Sequence, residues 1–168
     1  MIWNALGNRI QQYDSGVLTS STFNKANELL VVTPASGPVS TSTYDATGNL
    51  IGINTGGALT TQTWTPENRL ASYADSNGNS DQFLYSDDGL KKKRVSGSTT
   101  TLFTYDESAL LLETNTSGVV QARYTNAPKT WGILASQNRS GVSSFYGLDS
   151  QGSARILVSS AGLITDSY

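Results

Sequence analysis

The stretch YDATGNLIGIN, Tyr44–Asn54, decides the fold class, because weaker copies of it return at a fixed spacing. Each copy opens with an aromatic residue: WNALGNRI from Trp3, FNKANELL from Phe23, WTPENRLA from Trp64, YSDDGLKK from Tyr85 and YDESALLL from Tyr105. Successive aromatic residues are 20 or 21 positions apart. A fixed period of about this length is typical of a protein built from stacked structural repeats.

The fifth residue of each copy is predicted to adopt a left-handed turn conformation. These residues are Gly7, Asn27, Gly48, Asn68, Gly89 and Ala109. All but Ala109 are of the residue types that best tolerate a positive φ. Asp45, Asp106 and Asn24, directly after the aromatic residue, can accept hydrogen bonds from backbone amides two residues on and close an Asx turn.

A second series of turns lies between the first ones. Its members are Gly16, Gly37, Gly57, Gly78, Gly97, Gly118, Gly141 and Gly162. Two turns in each repeat leave two strands, so each repeat is predicted to be a β-hairpin. Between turns the sequence alternates as a half-buried strand does, with Phe103 and Tyr105 on one face and Leu102 and Thr104 on the other.

The fold class predicted from these patterns is all-β. We expect a meandering antiparallel β-sheet of about seven to eight hairpin repeats and no substantial helix, because Thr and Ser crowd the strands while aliphatic runs are few. Residues 1–168 are predicted to form a single domain. The repeats are expected to start near residues 3, 23, 44, 64, 85, 105, 124 and 146.

Composition excludes several classes of function. The chain of 168 residues contains no Cys and no His, which excludes disulfides, thiolate zinc sites and the Ser-His or Cys-His relays of many hydrolases. Its net charge is −2, and its one basic run, Lys91–Arg94, is short. Nucleic acid is therefore not an expected partner, since affinity for phosphate backbones requires a broad basic surface.

Nothing in the sequence predicts a membrane span or a signal peptide. The longest aliphatic runs, Leu29–Val32 and Ala109–Leu112, are far shorter than the roughly 20 residues that a span needs. Met1 is followed at once by what reads as the tail of a repeat, with no apolar leader segment. By itself the chain would therefore be cytoplasmic.

The repeats resemble those of the RHS/YD-repeat proteins, which read roughly Y-D-x-x-G-x-L at this period. The resemblance covers nearly the whole chain. The C-terminal half is similar, segment by segment, to the RHS repeat-associated core, in the order YSDDGLKKKRVSG, then YDESALLLETNTSGVVQARYTNAPKTWGILASQNRSG, then FYGLDSQGSARILVSSAGLITDSY.

This resemblance implies a structural function. Repeats of the family form a spiralling β-sheet shell that encloses a C-terminal toxin or other cargo, or that presents a binding surface at the cell exterior, and no catalysis by the repeats is implied. The parent protein would be extracellular or at the cell surface.

Two departures from the family predict a fragment of a larger shell protein. The shells of the family contain many more repeats, and its core normally continues past the final Tyr into a D-P-x-G segment associated with self-cleavage and a variable tip. The present sequence stops at Asp166, Ser167 and Tyr168. Exposed edge strands of such a fragment would favour self-association into a dimer or a higher assembly.

The strongest candidate for a metal site is the stretch ADSNGNSDQ. Asp75, Asn77, Asn79 and Asp81 alternate around Gly78, which resembles the first half of a calcium loop of the D-x-[DN]-x-[DN]-G kind. The glycine comes one step earlier than in an EF-hand, and no Glu follows at the twelfth position. The alternative interpretation is the second turn of a repeat, where Asp, Asn and Gly are favoured for their backbone behaviour.

Other polar groups have both a functional and a structural interpretation. The carboxylate pairs are Asp87 with Asp88 and Asp106 with Glu107; neighbouring strand residues point to opposite faces, so each pair can cooperate only within a turn. The polar cluster of GLDSQGSAR contains Asp149, Ser150, Ser153 and Arg155. Along a strand, Lys91–Arg94 would place two charges outward and two inward. The tryptophans, which could line a sugar-binding surface or anchor their repeats, are Trp3, Trp64 and Trp131.

Three functions remain open at this point. The first is a structural shell segment without catalysis. The second is a small calcium-dependent hydrolase acting on esters or lactones, with the metal held at Asp75 to Asp81. The third is a carbohydrate- or partner-binding module that uses an aromatic face of the sheet.

Overall fold

A computed structural model describes residues 1–127 and 133–168, and these residues form strands and turns without a helix. No helix in this described part is therefore long and apolar enough to cross a membrane. The seventeen strands are β1 Ile2–Trp3, β2 Arg9–Asp14, β3 Val17–Phe23, β4 Leu29–Pro34, β5 Ser40–Tyr44, β6 Leu50–Thr55, β7 Ala58–Trp64, β8 Leu70–Asp75, β9 Ser80–Tyr85, β10 Lys91–Ser96, β11 Thr99–Asp106, β12 Ala109–Thr114, β13 Val120–Asn126, β14 Leu134–Arg139, β15 Val142–Leu148, β16 Ala154–Ser159 and β17 Ile164–Ser167.

The chain divides into two compact units, unit 1 (Met1–Gln82) and unit 2 (Phe83–Tyr168), with the boundary inside β9. In unit 1, each strand from β1 to β9 pairs antiparallel with the next strand in the chain. In unit 2, the same holds from β10 to β17. The predicted fold class, an all-β meandering antiparallel sheet, is confirmed. The assignment of residues 1–168 to a single domain stays a prediction.

A β-bulge follows the aromatic residue that ends the first strand of a repeat. Thr43 lies opposite Gly52 and Tyr44 lies opposite Leu50, so Ile51 is the extra residue. The same shift places a Leu opposite the aromatic residue in Phe23–Leu29, Trp64–Leu70 and Tyr105–Leu110. Because a bulge bends a strand and increases its twist, its repetition gives each hairpin the same local geometry.

Backbone conformation confirms most of the predicted turns. Gly7, Asn27, Gly48, Asn68 and Gly89 have φ between 59° and 89°, and every glycine of the second series also has a positive φ. The prediction for Ala109 is wrong. Ala109 begins β12 and is fully buried, while the positive φ of this turn, 50°, belongs to Glu107.

The turn before Ala109 differs because it is shorter. Asp106 pairs directly with Ala109, which leaves two residues in the loop. A two-residue hairpin loop requires positive φ at its first central residue or at both, and in this loop the first central residue, Glu107, has it.

Alternating exposure distinguishes the two faces of the sheet. In β5, Ser42 and Tyr44 are half-buried while Thr41 and Thr43 are exposed. We call the face of each unit that carries the half-buried series the shielded face, with Ser42 and Tyr44 as its markers in unit 1, and the opposite side the open face. Apolar residues with near-complete burial are few in the described residues: Ala109, Ala122 and Leu157, all in unit 2. Backbone ladders and cross-strand contacts therefore supply most of the stability of this fold.

Candidate functional site

One register position on the shielded face differs between the units. In these hairpins the first residue after each register shift faces a residue near the start of the next strand, as Tyr44 faces Leu50, and in unit 2 Asn126 faces Leu134 and Leu148 faces Ala154. The residue two positions before the former faces the residue three positions after the latter. In unit 1 these pairs are Ser21–Val32, Ser42–Ile53 and Gln62–Tyr73. In unit 2 they are Phe103–Glu113, Tyr124–Gln137 and Tyr146–Leu157. The first member of the pair is thus aromatic in unit 2, where it is Phe103, Tyr124 or Tyr146, whereas in unit 1 it is Ser21, Ser42 or Gln62.

Three side chains from neighbouring strands form a closed network, which we call the Glu113 network. Arg139 Nη1 lies 2.9 Å from Glu113 Oε2. Tyr124 donates its hydroxyl hydrogen to Glu113 Oε1 at 2.5 Å and accepts a hydrogen bond from Arg139 Nη2 at 3.0 Å. The Glu113 side chain is 13% exposed, whereas that of Arg139 is 49% exposed. Each charge in the network therefore has a partner of opposite charge and a bond to the same phenol.

A small residue allows this network to form. Ala122 on β13 pairs with Glu113 on one side and with Arg139 on the other, and it is 1% exposed. The two long side chains belong to β12 and β14, so they meet above the methyl group of the strand between them. A larger residue at this position would separate them.

Electrostatics keep the network in one protonation state. Burial by itself would raise the pKa of Glu113, but hydrogen bonds from Arg139 and Tyr124 hold that pKa below its usual range. Burial, followed by the hydrogen bond to Glu113, raises the pKa of Tyr124 far above that of a free phenol. The hydrogen bond to Glu113 likewise raises the pKa of Arg139. These shifts move the pKa values of all three groups further from pH 7. None of the three is therefore suited to general acid or base catalysis near that pH.

Gln137 lies opposite Tyr124 of the network and contacts the next tyrosine of the same face. Tyr146 donates its hydroxyl hydrogen to Gln137 Oε1 at 3.0 Å, and burial raises the pKa of Tyr146. Sequence reasoning missed the Glu113 network. The only available signal was the replacement of small or aliphatic residues by Tyr, Glu and Arg at fixed repeat positions.

The predicted calcium ligands lie in a hydrogen-bonded turn. Asp75 Oδ1 accepts the backbone amides of Asn77 at 2.9 Å and Asn79 at 3.0 Å, and Oδ2 accepts the side-chain amide of Asn79 at 2.8 Å. That side-chain bond is the main cause that lowers the pKa of Asp75, together with the two backbone bonds. Asp81 lies on β9 opposite Tyr73, outside the turn.

The same turn recurs without a second carboxylate. In each copy, the side-chain oxygen of the first residue accepts the backbone amides two and four positions later. The other copies begin at Asn4, Asn24, Asp45, Asn115 and Asp149. Because neutral Asn builds the turn as well as Asp does, this geometry requires no cation. The oxygens of Asp75 accept hydrogen bonds from amide groups of the turn, and the calcium assignment to Asp75, Asn77, Asn79 and Asp81 stays a prediction.

The remaining carboxylate candidates lie in turns or, in the case of Asp106, at the end of a strand. Asp87 and Asp88 follow β9, where the Ser86 hydroxyl hydrogen-bonds Asp88 and is the main cause that lowers its pKa. Asp106 and Glu107 are exposed at the two-residue loop before β12.

The cluster around Asp149 is another Asx turn. Asp149 Oδ1 accepts the amides of Gln151 and Ser153 at 2.9 Å each, and Oδ2 pairs with Arg155 Nε at 2.8 Å. Ser150, also predicted in this cluster, occupies the turn and is exposed. The side chain of Asp149 thus stabilises the backbone of this turn by accepting its amide hydrogens.

The basic run has the predicted alternation. Lys91 and Lys93 are half-buried, whereas Lys92 and Arg94 are exposed. Lys91 Nζ lies 4.7 Å from the centre of the Phe83 ring, and Lys92 Nζ lies 5.7 Å from that of Tyr105. These cation–π contacts, which sequence reasoning did not anticipate, hold the run against aromatic residues of unit 2.

The tryptophans differ in environment. Trp64 Nε1 donates to the carbonyl of Leu50 at 2.8 Å, and the Tyr44 hydroxyl makes the equivalent bond to Leu29 at 3.0 Å. Trp64 is therefore an anchor between successive repeats. Trp3 is 57% exposed. Trp131 lies outside the described residues.

Comparison with solved structures identifies proteins of similar fold. No protein-family model matches the chain, and no curated protein matches it. Among solved structures it is similar to a chain in the crystal structure of TcdB2–TccC3–Cdc42 (TM-score 0.57, 16% identity) and to one in that of TcdB2–TccC3 (TM-score 0.55, 16% identity). The match covers 90% of this chain in both cases, but 9% and 10% of the respective neighbours. The chain has an RHS-like fold.

Proposed function

We propose that the chain is a wall segment of a larger β-sheet shell that encloses cargo, and that it performs no catalysis of its own. The likeness to TcdB2–TccC3 supports this proposal, because it extends over 90% of the chain while spanning only about a tenth of the neighbour. A segment of a larger repeat-built sheet is expected to match a much longer chain in this way.

The small number of fully buried side chains also supports the proposal that the chain is a segment of a shell wall. The described residues form sheet without a covering helix, and few of their side chains are fully buried. An isolated enzyme needs a pocket whose polar groups converge on a substrate. Here the candidate carboxylates lie in turns or near the ends of strands, and the pKa shifts of the Glu113 network favour a fixed protonation state.

We take the shielded face as the inner face of the wall, so the shell proposal predicts that an enclosed polypeptide contacts this face. Ser144 lies opposite Gln137 on that face, whereas its neighbour Ser143 lies opposite Asn138 on the open face. A photoreactive amino acid would be placed at either position in the full chain, with an unfolded reporter polypeptide joined to the C-terminus by a flexible linker. We expect cross-links to the reporter from position 144 and few from position 143.

Two results would contradict this proposal. Equal cross-linking from both faces would mean that the shielded face has no preference for an enclosed chain. Hydrolysis of simple esters or lactones by the purified protein, lost with excess chelator and in Asp75→Ala, would support the calcium-dependent hydrolase instead. Asp45→Ala, which alters an equivalent turn, is the matched control for that assay.

A further inference from the structure

The turn between β8 and β9 contains the one Asn-Gly dipeptide of the sequence, Asn77–Gly78. Both residues are exposed, and Gly78 has a φ of 86°. A Cβ atom built on Gly78 would meet nothing within 4 Å. Among the residues that the structure describes, no group hydrogen-bonds the side chain of Asn77. A free side-chain amide and an unhindered backbone nitrogen are therefore next to each other.

The turn itself is held by other groups. Asp75 Oδ1 accepts the backbone amides of Asn77 and Asn79, and the Gly78 amide donates to the Asp75 carbonyl at 3.1 Å. In the other copies of this turn the position of Asn77 is occupied by side chains of unrelated chemistry: Leu6, Ala26, Thr47, Ser117 and Gln151. The fold therefore does not use the side chain at this position.

The neighbouring asparagine differs from Asn77 in two respects. Asn79 Nδ2 donates to Asp75 Oδ2 at 2.8 Å, so its side-chain amide is already bound. The next residue, Ser80, carries a Cβ atom, which hinders its backbone nitrogen more than glycine does. Two asparagines of one turn thus differ in their exposure to attack by the backbone.

Unit 2 contains a matched dipeptide, Asp88–Gly89, at the same place in a repeat turn. The Gly89 amide donates to the Ser86 carbonyl at 2.8 Å, as the Gly78 amide donates to Asp75. The Asp88 carboxylate accepts hydrogen bonds from the Ser86 hydroxyl and from the Leu90 amide, and these bonds lower its pKa. An ionised carboxylate has no leaving group for an attacking nitrogen, so the second dipeptide is protected.

We propose that Asn77 is a site of spontaneous deamidation. The backbone nitrogen of Gly78 gives its proton to hydroxide and attacks Cγ of Asn77. The new N–Cγ bond closes a succinimide ring, the bond from Cγ to Nδ2 breaks, and ammonia leaves with a proton from water, which regenerates the hydroxide. Water then adds to one of the two ring carbonyls. Cleavage of the N–Cγ bond gives an aspartate, whereas cleavage at the main-chain carbonyl gives an isoaspartate.

The turn controls the rate of this reaction. In the closed turn the Gly78 amide hydrogen is donated to the Asp75 carbonyl, so the nitrogen can react only after this bond opens. A hairpin tip whose backbone bonds are exposed to solvent opens at a low cost in free energy. Asp75 is a positioning residue for the reaction, because its side-chain bonds to Asn77 and Asn79 keep the turn closed.

The two products have different effects on the hairpin. An aspartate changes only a side chain that the turn does not use. In an isoaspartate the main chain runs through Cβ and Cγ, which adds one atom between the two amides that Asp75 Oδ1 accepts. Both bonds cannot then keep their present geometry, so isoaspartate at this position weakens the β8–β9 hairpin. This proposal does not depend on the shell function.

Peptide mass spectrometry of the full chain, incubated in mildly alkaline buffer, tests the proposal. Each deamidation adds about 1 Da to the peptide that carries it. We expect this gain at Asn77 to be at least about tenfold faster than at Asn79, since only Asn77 combines a free side chain with a following glycine. Asp75→Ala, which loosens the turn, should accelerate the reaction. Asp75→Asn is the matched control and should react at close to the rate of the unmodified chain, because Asn builds the same turn elsewhere.

Stability measurements separate the two products. Isoaspartate is detected by labelling with a protein isoaspartate methyltransferase, and the melting temperature of the incubated chain should fall as this label rises. Asn77→Asp should melt close to the unmodified chain, and Asn77→Gln should neither react at this position nor lose stability on incubation. Deamidation at Asn77 no faster than at Asn79 would overturn the proposal. Isoaspartate formed at Asp88 as fast as at Asn77 would overturn the selectivity argued from side-chain bonding, and equal rates in Asp75→Ala and the unmodified chain would overturn the role of Asp75.

Discussion

Unit 1 and unit 2 share one backbone plan but carry different chemistry on the shielded face. Ser42 faces Ile53 in unit 1, while Phe103 faces Glu113 at the equivalent place in unit 2. Turn and bulge geometry constrains only a few positions of each repeat. The other positions can change from a small polar group to an aromatic or ionised one while the hairpin remains the same.

The turns of the two units differ as well. In unit 1, Asn8 Nδ2 donates to Asn27 Oδ1 at 2.9 Å, and Asn49 Nδ2 donates to Asn68 Oδ1 at 2.8 Å. These bonds join the turns of successive repeats. The acceptors have φ of 64° and 59°, values that glycine tolerates better, so the side-chain bond explains why Asn serves at both positions. These bonds link turns of unit 1, whereas the Glu113 network links three strands on the shielded face of unit 2.

The largest expected effect is that of Ala122→Leu. Ala122 is almost fully buried below the Glu113–Arg139 contact, so a larger side chain must separate the pair. We expect the free energy of unfolding to fall by about 3 kcal/mol, measured by denaturant titration. Thr19→Leu, four positions before Phe23 and half-buried in unit 1, is the control and should cost less than about 1 kcal/mol. Equal losses would show that the units do not differ at this position.

Removing one partner of the Glu113 network should cost less. Glu113→Ala leaves the partly exposed Arg139 and the Tyr124 hydroxyl without their acceptor, so we expect a loss of about 1–3 kcal/mol in the free energy of unfolding. The double variant Glu113→Ile with Arg139→Met gives unit 2 the aliphatic residue of Ile53 and removes both charges. It should be more stable than the single variant, because replacing both partners together leaves no charge without its partner. A double variant less stable than Glu113→Ala would contradict this account.

Alanine substitutions at two glycines, one on the open face of each unit, should differ by a smaller amount. A Cβ atom at Gly147 would lie 2.5 Å from Ile156 Cγ1 and 2.9 Å from Cδ1, whereas at Gly52 the closest atom is the hydroxyl oxygen of Thr43. Gly147→Ala must therefore displace a branched apolar side chain, at about 1–2 kcal/mol in thermal unfolding. Gly52→Ala should cost less, since the Thr43 side chain can rotate away. The reverse order would mean that the atoms around Gly52 are more tightly packed than those around Gly147.

The smallest effect concerns pH and the turn at Asp45. Hydrogen bonds from the Asn49 backbone amide and then the Thr47 hydroxyl lower the pKa of Asp45 to about 2. An unfolded Asp titrates near about 3.9, so the turn is stabilised above pH ~4, and that stabilisation is lost as the pH falls toward 2. The melting temperature of Asp45→Asn should decline less than that of the unmodified chain over this interval. Parallel declines would show that this carboxylate does not contribute to the pH dependence.

The sequence predicted those features that depend on local backbone preference. Asp, Asn and Gly at a fixed period indicated the turns, and the structure confirms them except at Ala109. That exception has a local cause, a loop with two residues instead of the usual longer turn, and it shifted the left-handed residue to Glu107. The interpretation of Asp75 as a turn residue was equally available from the sequence, because a turn needs only neighbouring amides.

The Glu113 network was not predictable in the same way. Glu113, Tyr124 and Arg139 lie on three different strands, and each hairpin register includes a bulge that changes which residues face each other. A displacement of one residue would send Arg139 to the other face of the sheet. The repeat period does not specify that displacement.

By itself, then, the sequence determined the repeat, its two turns and its all-β character, because short-range backbone energies act between residues a few positions apart. Only the tertiary structure decided which side chains meet across the strands: the ion pair above Ala122, the Thr43 hydroxyl over Gly52 and the lysines against aromatic rings. These contacts depend on strand register and on burial. Both arise from the pairing of whole strands, so neither is contained in any single repeat.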